Sequence, residues 1–472
     1  MYTLRPYQKE SVEIGLAFLN DKKNKNKGGI LVEPTASGKS LVVANVARDL
    51  DGAVLVLQPT KEILEQNFQK AMDYGFDDTG IFSASCKRKD FGQVTFAMIG
   101  SVIRKKELFK HIKYLIIDEC HLVNAKKGIY KELIKYLGVP VLGMTATPYR
   151  LHSYEDIRTG ERAVAAKFLT RTRPRLFHKI LHVTQIQEMY DQKFLCPVDY
   201  IMNDKYSHSD IGLNSTGMDF NKDTLKAYNE NQDIIGVVTD SIRGLRAKHI
   251  LVFCIFVEEA ERLAVRLAEI GLTAVSISAK TKPKERERII REFKNGTIQV
   301  VTNVGVLTTG FDFPELDCLI LARPTQSVAL YYQMIGRGLR IAENKEKLRV
   351  VDVCGNVSRF GMIETFEIVE KKKNMHRLKS NVSFLTGYNF VKNQDFESTD
   401  YDGMRETTGM DMNKILYVGK HKGKHITRVP TAYLEWCSKC FRGQWKIKFD
   451  NEIERRKLNN KSKVGQLKLP TV

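Results

Sequence analysis

Residues 28 to 40 read GGILVEPTASGKS: an apolar run, a polar loop, and a Gly38-Lys39-Ser40 triplet that opens the amphipathic stretch KSLVVANVARDL. The run predicts a strand buried on both faces and the stretch predicts a helix. A loop between such a strand and a helix N-terminus presents backbone N–H groups and the positive end of the helix dipole to an anion. Lys39 there suits the β- and γ-phosphates of a nucleotide and Ser40 suits Mg2+, with Pro34, Thr35, Ala36, Ser37 and Gly38 lining the cradle. Loops of this kind lean on several glycines to let the backbone approach phosphate, and this one has Gly38 alone.

The same alternation continues outward. AVLVLQP (53–59), VTFAMI (94–99), YLIIDE (114–119) and VLGMTAT (141–147) predict further buried strands, with helical patterns such as KEILEQNFQKAMDYG between them. Residues 1–150 are therefore expected to form an α/β domain on a parallel sheet covered on both faces. HILVFCIF (249–256), TAVSIS (273–278), IQVVTNV (298–304), CLILARP (318–324) and RVVDVC (349–354) predict a second domain of similar design over residues 236–370. Residues 151–235, less regular and rich in basic residues and tyrosine, are expected to be a connector or insertion. The charge run KKKNMHRLKSN opens a basic linker over 371–412, in which DFESTDYDGMRETTG reads as a flexible spacer. Residues 413–472 form a small C-terminal module and tail, with both tryptophans.

Seventy-five Lys and Arg against 55 Asp and Glu give a formal net charge of +20, the balance of a protein that meets a polyanion. The eight cysteines are scattered and form no disulfide framework, which fits a reducing compartment. Cys437 and Cys440 are a C-x-x-C with no second pair to complete a zinc site. The first residues, MYTLRPYQKE, lack the apolar core of a secretory signal, and no apolar run reaches the roughly 18 residues of a membrane span. A cytoplasmic protein with no membrane partner is expected.

Two further motifs carry chemistry. YLIID ends in Asp118-Glu119-Cys120-His121, so two acids arrive at the carboxyl edge of a sheet, where ligands bind in open α/β folds. Asp118 is placed to hold Mg2+ through its water shell, and Glu119 to orient and deprotonate an attacking water. In QMIGRGLR (333–340), a helix would put Gln333, Arg337 and Arg340 on one face, and guanidiniums from a separate domain suit the charge on a transferring γ-phosphate. Gly336 and Gly338 allow close approach to another surface.

LRPYQ (4–8), PTASGKS, QPTKEILEQN, DECH, TATP (145–148), NVGVLTTGFDFP (303–314) and QMIGRGLR occur in the order of the superfamily 2 helicases and translocases. Within that superfamily the chain resembles the bacterial RadD-type and phage UvsW-type DNA helicases, and VDVCGNVSRFG (351–361) is similar to a stretch after the last RadD motif. The resemblance covers about residues 1–370. It implies two tandem RecA-like domains with ATP and Mg2+ in the cleft between them, and DNA, single-stranded or branched, as partner, with RNA the alternative. It implies that Gln8 and Arg5 read the adenine edge, that His121 meets Gln333 across the cleft, and that Thr145 and Thr147 couple hydrolysis to domain motion. Gly310 and Asp312 match positions touching nucleotide from the second domain, and Arg337 and Arg340 match the arginine fingers. Strand contacts are implied for Pro59, Thr60, Gly100, Ser101, Thr302, Asn303 and Thr308, residues that also serve as ordinary turn formers.

The chain departs from the superfamily pattern at Glu33 and Ala36, which replace an alanine and a glycine. Alanine is strained there only if φ is positive, and Glu33 is unfavourable beside phosphate unless it turns away or pairs with a base. The zinc-binding cysteine cluster associated with RadD-type proteins is also not visible. The C-terminal GKHKGKHITRVPTAYLEW resembles a small module at the tails of some bacterial and phage DNA-processing proteins. Lys420, Lys422 and Lys424 are then candidates for phosphate contacts. Tyr433, Trp436 and Trp445 are either base-stacking rings or core, and the tryptophans are expected to be core, since so small a unit has few other large apolar groups. The expected function is an ATP-dependent DNA helicase or translocase of DNA repair, recombination or replication, from a bacterium or phage. The alternatives are an RNA or duplex-tracking motor, and a binding scaffold with a decayed ATPase site.

Overall fold

The computed structural model describes residues 3–125, 128–156, 162–203, 206–214, 219–308, 310–372, 374–383 and 385–386, and beyond them 388–389, 394–395, 404–407, 426, 429–440, 446, 449–454 and 456. Strands β1 (Gly28–Val32), β2 (Val54–Gln58), β3 (Thr79–Ser83), β4 (Arg88–Lys89), β5 (Val94–Met98), β6 (Tyr114–Asp118) and β7 (Val141–Thr145) belong to the first sheet. β8 (Tyr149–Asp156) and β9 (Arg162–Phe168) leave it, and β10 (Phe177–Val183) returns to it. The order is β10-β1-β7-β6-β2-β5-β3-β4, parallel except for the short edge strand β4. Helices α1 (Pro6–Asn20), α2 (Lys39–Arg48), α3 (Lys61–Asp73), the single turn α4 (Ile99–Val102) and α5 (Ile129–Leu137) connect the strands.

Both faces of this sheet are buried, as its continuous apolar strands require. Leu31, Val54 and Val56 face one way onto Val12, Phe18, Val42, Val46 and Leu64 of α1, α2 and α3. Their neighbours Ile30, Val32, Leu55 and Leu57 face the other way onto Phe109, Leu133 and Phe177. Parallel register then aligns the carboxyl ends: Val32 lies beside Thr145, and Asp118 beside Met144. The loop after β1 and the acids after β6 therefore share one sheet edge.

The second sheet consists of β11 (Val198–Met202), β12 (Ile250–Cys254), β13 (Ala274–Ile277), β14 (Val300–Asn303), β15 (Cys318–Ala322) and β16 (Leu348–Asp352). Its order is β11-β16-β15-β12-β14-β13, parallel throughout. With the short helix α6 (Ile186–Asp191) between the sheets, its helices are α7 (Lys222–Asn231), α8 (Ile234–Arg243), α9 (Val257–Glu269), α10 (Pro283–Lys294), α11 (Val328–Gly336) and α12 (Asn356–Phe360). The fold is thus two parallel α/β sheet domains in tandem.

Residues 151–235 are not a connector. Phe177–Val183 extends the first sheet beyond residue 150, and Val198–Met202 is an edge strand of the second. Tyr206, Ile211, Phe220 and Leu225 sit in the second domain's core. These edge strands read FHKILHV and VDYIM and are half-buried, so they lack the unbroken apolar signature of central strands. The run after residue 370 is not a linker at its start either: β17 (Glu367–Lys372) and β18 (Met375–Lys379) form an antiparallel hairpin.

A smaller unit comprises residues 151–165, 215–218 and 387–472. In it Met404–Thr407, expected to be spacer, is a strand antiparallel to Ser153–Asp156. Helix α13 (Thr431–Cys440) buries Leu434 and Cys437 against Ile426, Val429, Phe449 and Ile453. Trp436 is not part of that core: it stands 54 % exposed on the outer side of α13.

Candidate nucleotide site and its links to the second domain

The loop after β1 has left-handed backbone at Ala36 (φ 67°) and at Gly38 (φ 79°), the residue that caps α2. Ala36 therefore occupies the conformation that favours glycine, with a Cβ that costs on the order of 1 kcal/mol there. Tyr7 Oη and Gln8 Nε2 both donate to the Ser37 carbonyl, at 2.6 and 2.7 Å, and hold the loop from outside. Gln8 Oε1 accepts from the Arg5 N–H at 2.9 Å, capping α1, so both ends of the Gln8 amide are engaged. The Arg5 guanidinium lies 4.1 Å above the Phe194 ring.

Glu33 is held by hydroxyl groups beneath the loop's first residues. It is fully buried, accepts from Ser11 Oγ and, at 3.1 Å, from Thr184 Oγ1, and burial raises its pKa. Two hydroxyls take the place of a pairing base.

Lys39 reaches the acids of β6, with Nζ 2.8 Å from Glu119 Oε1 and 3.9 Å from Asp118 Oδ1. Burial alone would push the Lys39 pKa down, but the two carboxylates outweigh it and raise it. Burial pushes Asp118 up to about 6. Burial also works against ionised Glu119, yet Lys39 and His121 prevail and hold its carboxyl well below the usual range. Glu119 has left-handed backbone (φ 49°), a strained geometry for a residue with a side chain.

Ser40 Oγ donates to Asn67 Oδ1 at 2.6 Å, and Asn67 Nδ2 approaches Asp118 Oδ2 at 3.4 Å. A hydroxyl, an amide oxygen and a carboxylate oxygen are hard donors, and this set fits Mg2+ held by Ser40 and by Asp118 through water. Asn67 was not foreseen. The signal was an amide at position 67 between Leu64 and Ala71, on the buried stripe of α3.

His121 Nδ1 lies 2.8 Å from Thr145 Oγ1 and 3.2 Å from Glu119 Oε2, and its Nε2 lies 3.1 Å from Gln333 Nε2 of α11. Thr145 Oγ1 also accepts from the Thr147 N–H at 3.0 Å. Gln66 Nε2 donates to Gly310 O at 3.2 Å. Gly336 passes so close to the phosphate loop that an added Cβ would sit 2.7 Å from Thr35 Cβ.

The three residues expected on one helical face are arranged differently. α11 ends at Gly336, so Arg340 is off the helix and pairs with Asp312 instead. Arg337 caps α11, donates to Phe311 O at 3.1 Å, and lies within electrostatic reach of Glu119 and Lys39. Lys345, also missed, clamps this loop by donating to Gly338 O, to Arg340 O at 3.0 Å and to Pro314 O at 3.1 Å.

The expected strand-contact residues divide. Thr302 and Asn303 are fully buried: Thr302 Oγ1 donates to Ala260 O, and Asn303 Oδ1 accepts from the Val306 and Leu307 N–H groups. Their side chains hold the strand end and are not available to a nucleic acid. Thr60 caps α3 and Ser101 Oγ accepts from Ala84 N–H, while Pro59, Thr60, Gly100, Ser101 and Thr308 all remain partly exposed. Lys420, Lys422, Lys424 and Trp445 lie outside the described residues. Among the described residues no cluster of three or more metal-binding side chains occurs, and no helix is long and apolar enough to cross a membrane.

Two parallel sheets joined by a lysine loop, an acid pair and a second-domain arginine define a nucleotide-driven motor of RecA-like domains. Comparison with known proteins gives the family. Residues 1–150 match the family described as "Type III restriction enzyme, res subunit", and residues 233–342 match "Helicase conserved C-terminal domain". The chain belongs to superfamily 2 of the helicases, an ATP-hydrolysing class. It is 26 % identical over 377 residues to a Saccharomyces cerevisiae protein named as the ATP-dependent helicase IRC3, a match covering 75 % of this chain and 51 % of that protein. It is 24 % identical to a 51.5 kDa protein of a Lactococcus phage, covering 71 % and 68 %. It is also 24 % identical to the DNA 3'-5' translocase XPB2 of Sulfurisphaera tokodaii, covering 74 % and 80 %. The match thus spans only about half the length of the yeast relative. In fold it is similar to an HsdR-subunit fragment of a type I restriction enzyme from Vibrio vulnificus, with TM-score 0.57, 18 % identity, and coverage of 76 % and 66 %. It is also similar to the DNA-bound Type ISP restriction-modification enzyme LlaBIII, with TM-score 0.52, 16 % identity, and coverage of 74 % and 27 %.

Proposed function

We propose that the chain is an ATP-dependent DNA motor that unwinds or moves along DNA in repair, recombination or replication. The observation that carries this reading is the continuous contact from Lys39 through Glu119 and His121 to Gln333, which ties the acid pair to the second domain. A change in nucleotide state at Lys39 and Glu119 is then felt by both domains, which is what a motor needs.

In this reading Lys39 exchanges its carboxylate partner for nucleotide phosphate, and ionised Glu119 accepts the proton of the attacking water. Arg337 supplies positive charge from the second domain, and Lys345 keeps its loop in place. Mg2+, when bound near Ser40 and Asp118, neutralises phosphate charge. Arg5, Gln8 and Phe194 border the region where the base would lie. Arg340, Asp312 and Gly310 lie on the second-domain side.

ATPase activity should be stimulated by nucleic acid and fall more than about a hundredfold in Lys39→Ala and Glu119→Gln. Turnover in both variants equal to wild type would contradict the reading. Comparing single-stranded, duplex and branched DNA with RNA as activators separates an unwinding motor from a duplex-tracking one, the reading favoured by the restriction-subunit family over residues 1–150.

A further inference from the structure

We propose that the outer face of α13 is a stacking platform for the unpaired bases of single-stranded DNA, with Trp436 as the ring that stacks. The inference rests on the reading of the chain as a DNA motor, and adds a contact outside the two sheet domains.

Three observations converge on this face. First, α13 has its core without Trp436: Leu434 and Cys437 point inward onto Ile426, Val429, Phe449 and Ile453. A unit this small has few large apolar groups, yet it leaves a tryptophan 54 % exposed. Second, the Trp436 ring lies 5.4 Å from that of Tyr433 at an interplanar angle of 36°, so a neighbouring ring supports it and limits its rotamers. Less conformational freedom then remains to be lost when a base settles on it.

Third, the sequence around α13 is where the chain concentrates its charge. Residues 413–472 contain 15 Lys and Arg against 4 Asp and Glu, a net +11 of the chain's +20. Asp450 pairs with Lys446 at 2.8 Å and Glu452 with Arg456 at 3.0 Å, so these two pairs are neutral and the net charge rests on the remaining residues. Exposed Lys439 follows Trp436 by three residues, one helical turn along the same face. An exposed aromatic ring with Lys439 one turn away, in a segment of net positive charge, matches a strand that offers phosphates and free base faces together. Duplex DNA offers the phosphates but stacks its base faces on each other, so a single strand is the partner that uses both features.

The test uses the full-length chain and three labelled probes, a dT oligonucleotide, a duplex of equal length and the matching U oligonucleotide, read by fluorescence anisotropy. Trp436→Ala should weaken dT binding about fivefold or more, the loss of one stacked base, and weaken duplex binding far less. Trp436→Phe, which keeps a ring, should recover most of the affinity. The salt dependence should not change, because no charge is removed. Circular dichroism and the melting temperature confirm that the variants are folded. Equal affinity of wild type and Trp436→Ala for dT, equal losses on dT and duplex, or tighter wild-type binding to U than to dT would each overturn the proposal. If wild-type ATPase responds to DNA while Trp436→Ala binds dT as wild type does, this inference fails and the motor reading stands. A wild type that neither binds DNA nor responds to it overturns both.

Discussion

Ala36 carries a methyl group where the backbone runs at φ 67°. Replacing it by glycine relieves about 1 to 2 kcal/mol of left-handed strain and gives back up to about 1 kcal/mol through the entropy of the unfolded chain. Ala36→Gly should therefore raise nucleotide-free stability by about 1 kcal/mol, measurable by denaturant unfolding, whereas a loss would show that the Ala36 side chain makes a favourable contact. Asn67 touches both Ser40 and Asp118, so Asn67→Ala should raise the Mg2+ concentration for half-maximal ATPase about tenfold. An unchanged Mg2+ requirement would make Asn67 a packing residue only. At this scale the sequence disclosed the charged groups well, since Lys39, Asp118 and Glu119 stand at strand and helix ends that periodicity marks. It did not disclose the partners that hold them. Asn67 and Lys345 act from a buried helix stripe and from beyond the arginine loop, and Glu33 meets Thr184 across 151 residues of chain.

In the two sheets, the strands taken from sequence as connector lie at edges. β10 and β11 are half-buried strands with alternating polar residues, and Gly336 ends α11 before Arg340. Central strands, buried on both faces, were legible because burial forces a continuous apolar run. The segment before α7 also has a titration of its own. His208 lies nearly parallel to Phe220, with centroids 5.5 Å apart, and burial pushes its pKa down to about 3. An unfolded histidine titrates near 6.5, so between about pH 6.5 and 3 the unfolded chain takes a proton that the folded chain refuses. The second domain should lose roughly 1 kcal/mol for each pH unit below 6.5. His208→Phe should flatten that loss, read as a smaller drop in melting temperature between pH 7 and pH 5. A drop equal to that of wild type would place the acid sensitivity elsewhere.

The two sheet domains meet at a glycine. Alanine at position 336 would improve helix propensity, so any harm from Gly336→Ala must come from its Cβ against Thr35. Such a displacement of the second domain should lower ATPase turnover on the order of a hundredfold while DNA affinity persists. Full activity in the variant would show that this contact opens during the cycle. The second link between the domains, the His121 imidazole, has a chemical corollary. An amide nitrogen can only donate, so Gln333 Nε2 requires a lone pair on His121 Nε2, and the ring's single proton must sit on Nδ1, facing Thr145 and Glu119. That is one tautomer of two. The bridge between the two sheet domains therefore has a direction: the second domain gives the hydrogen through Gln333 and the first receives it on the ring.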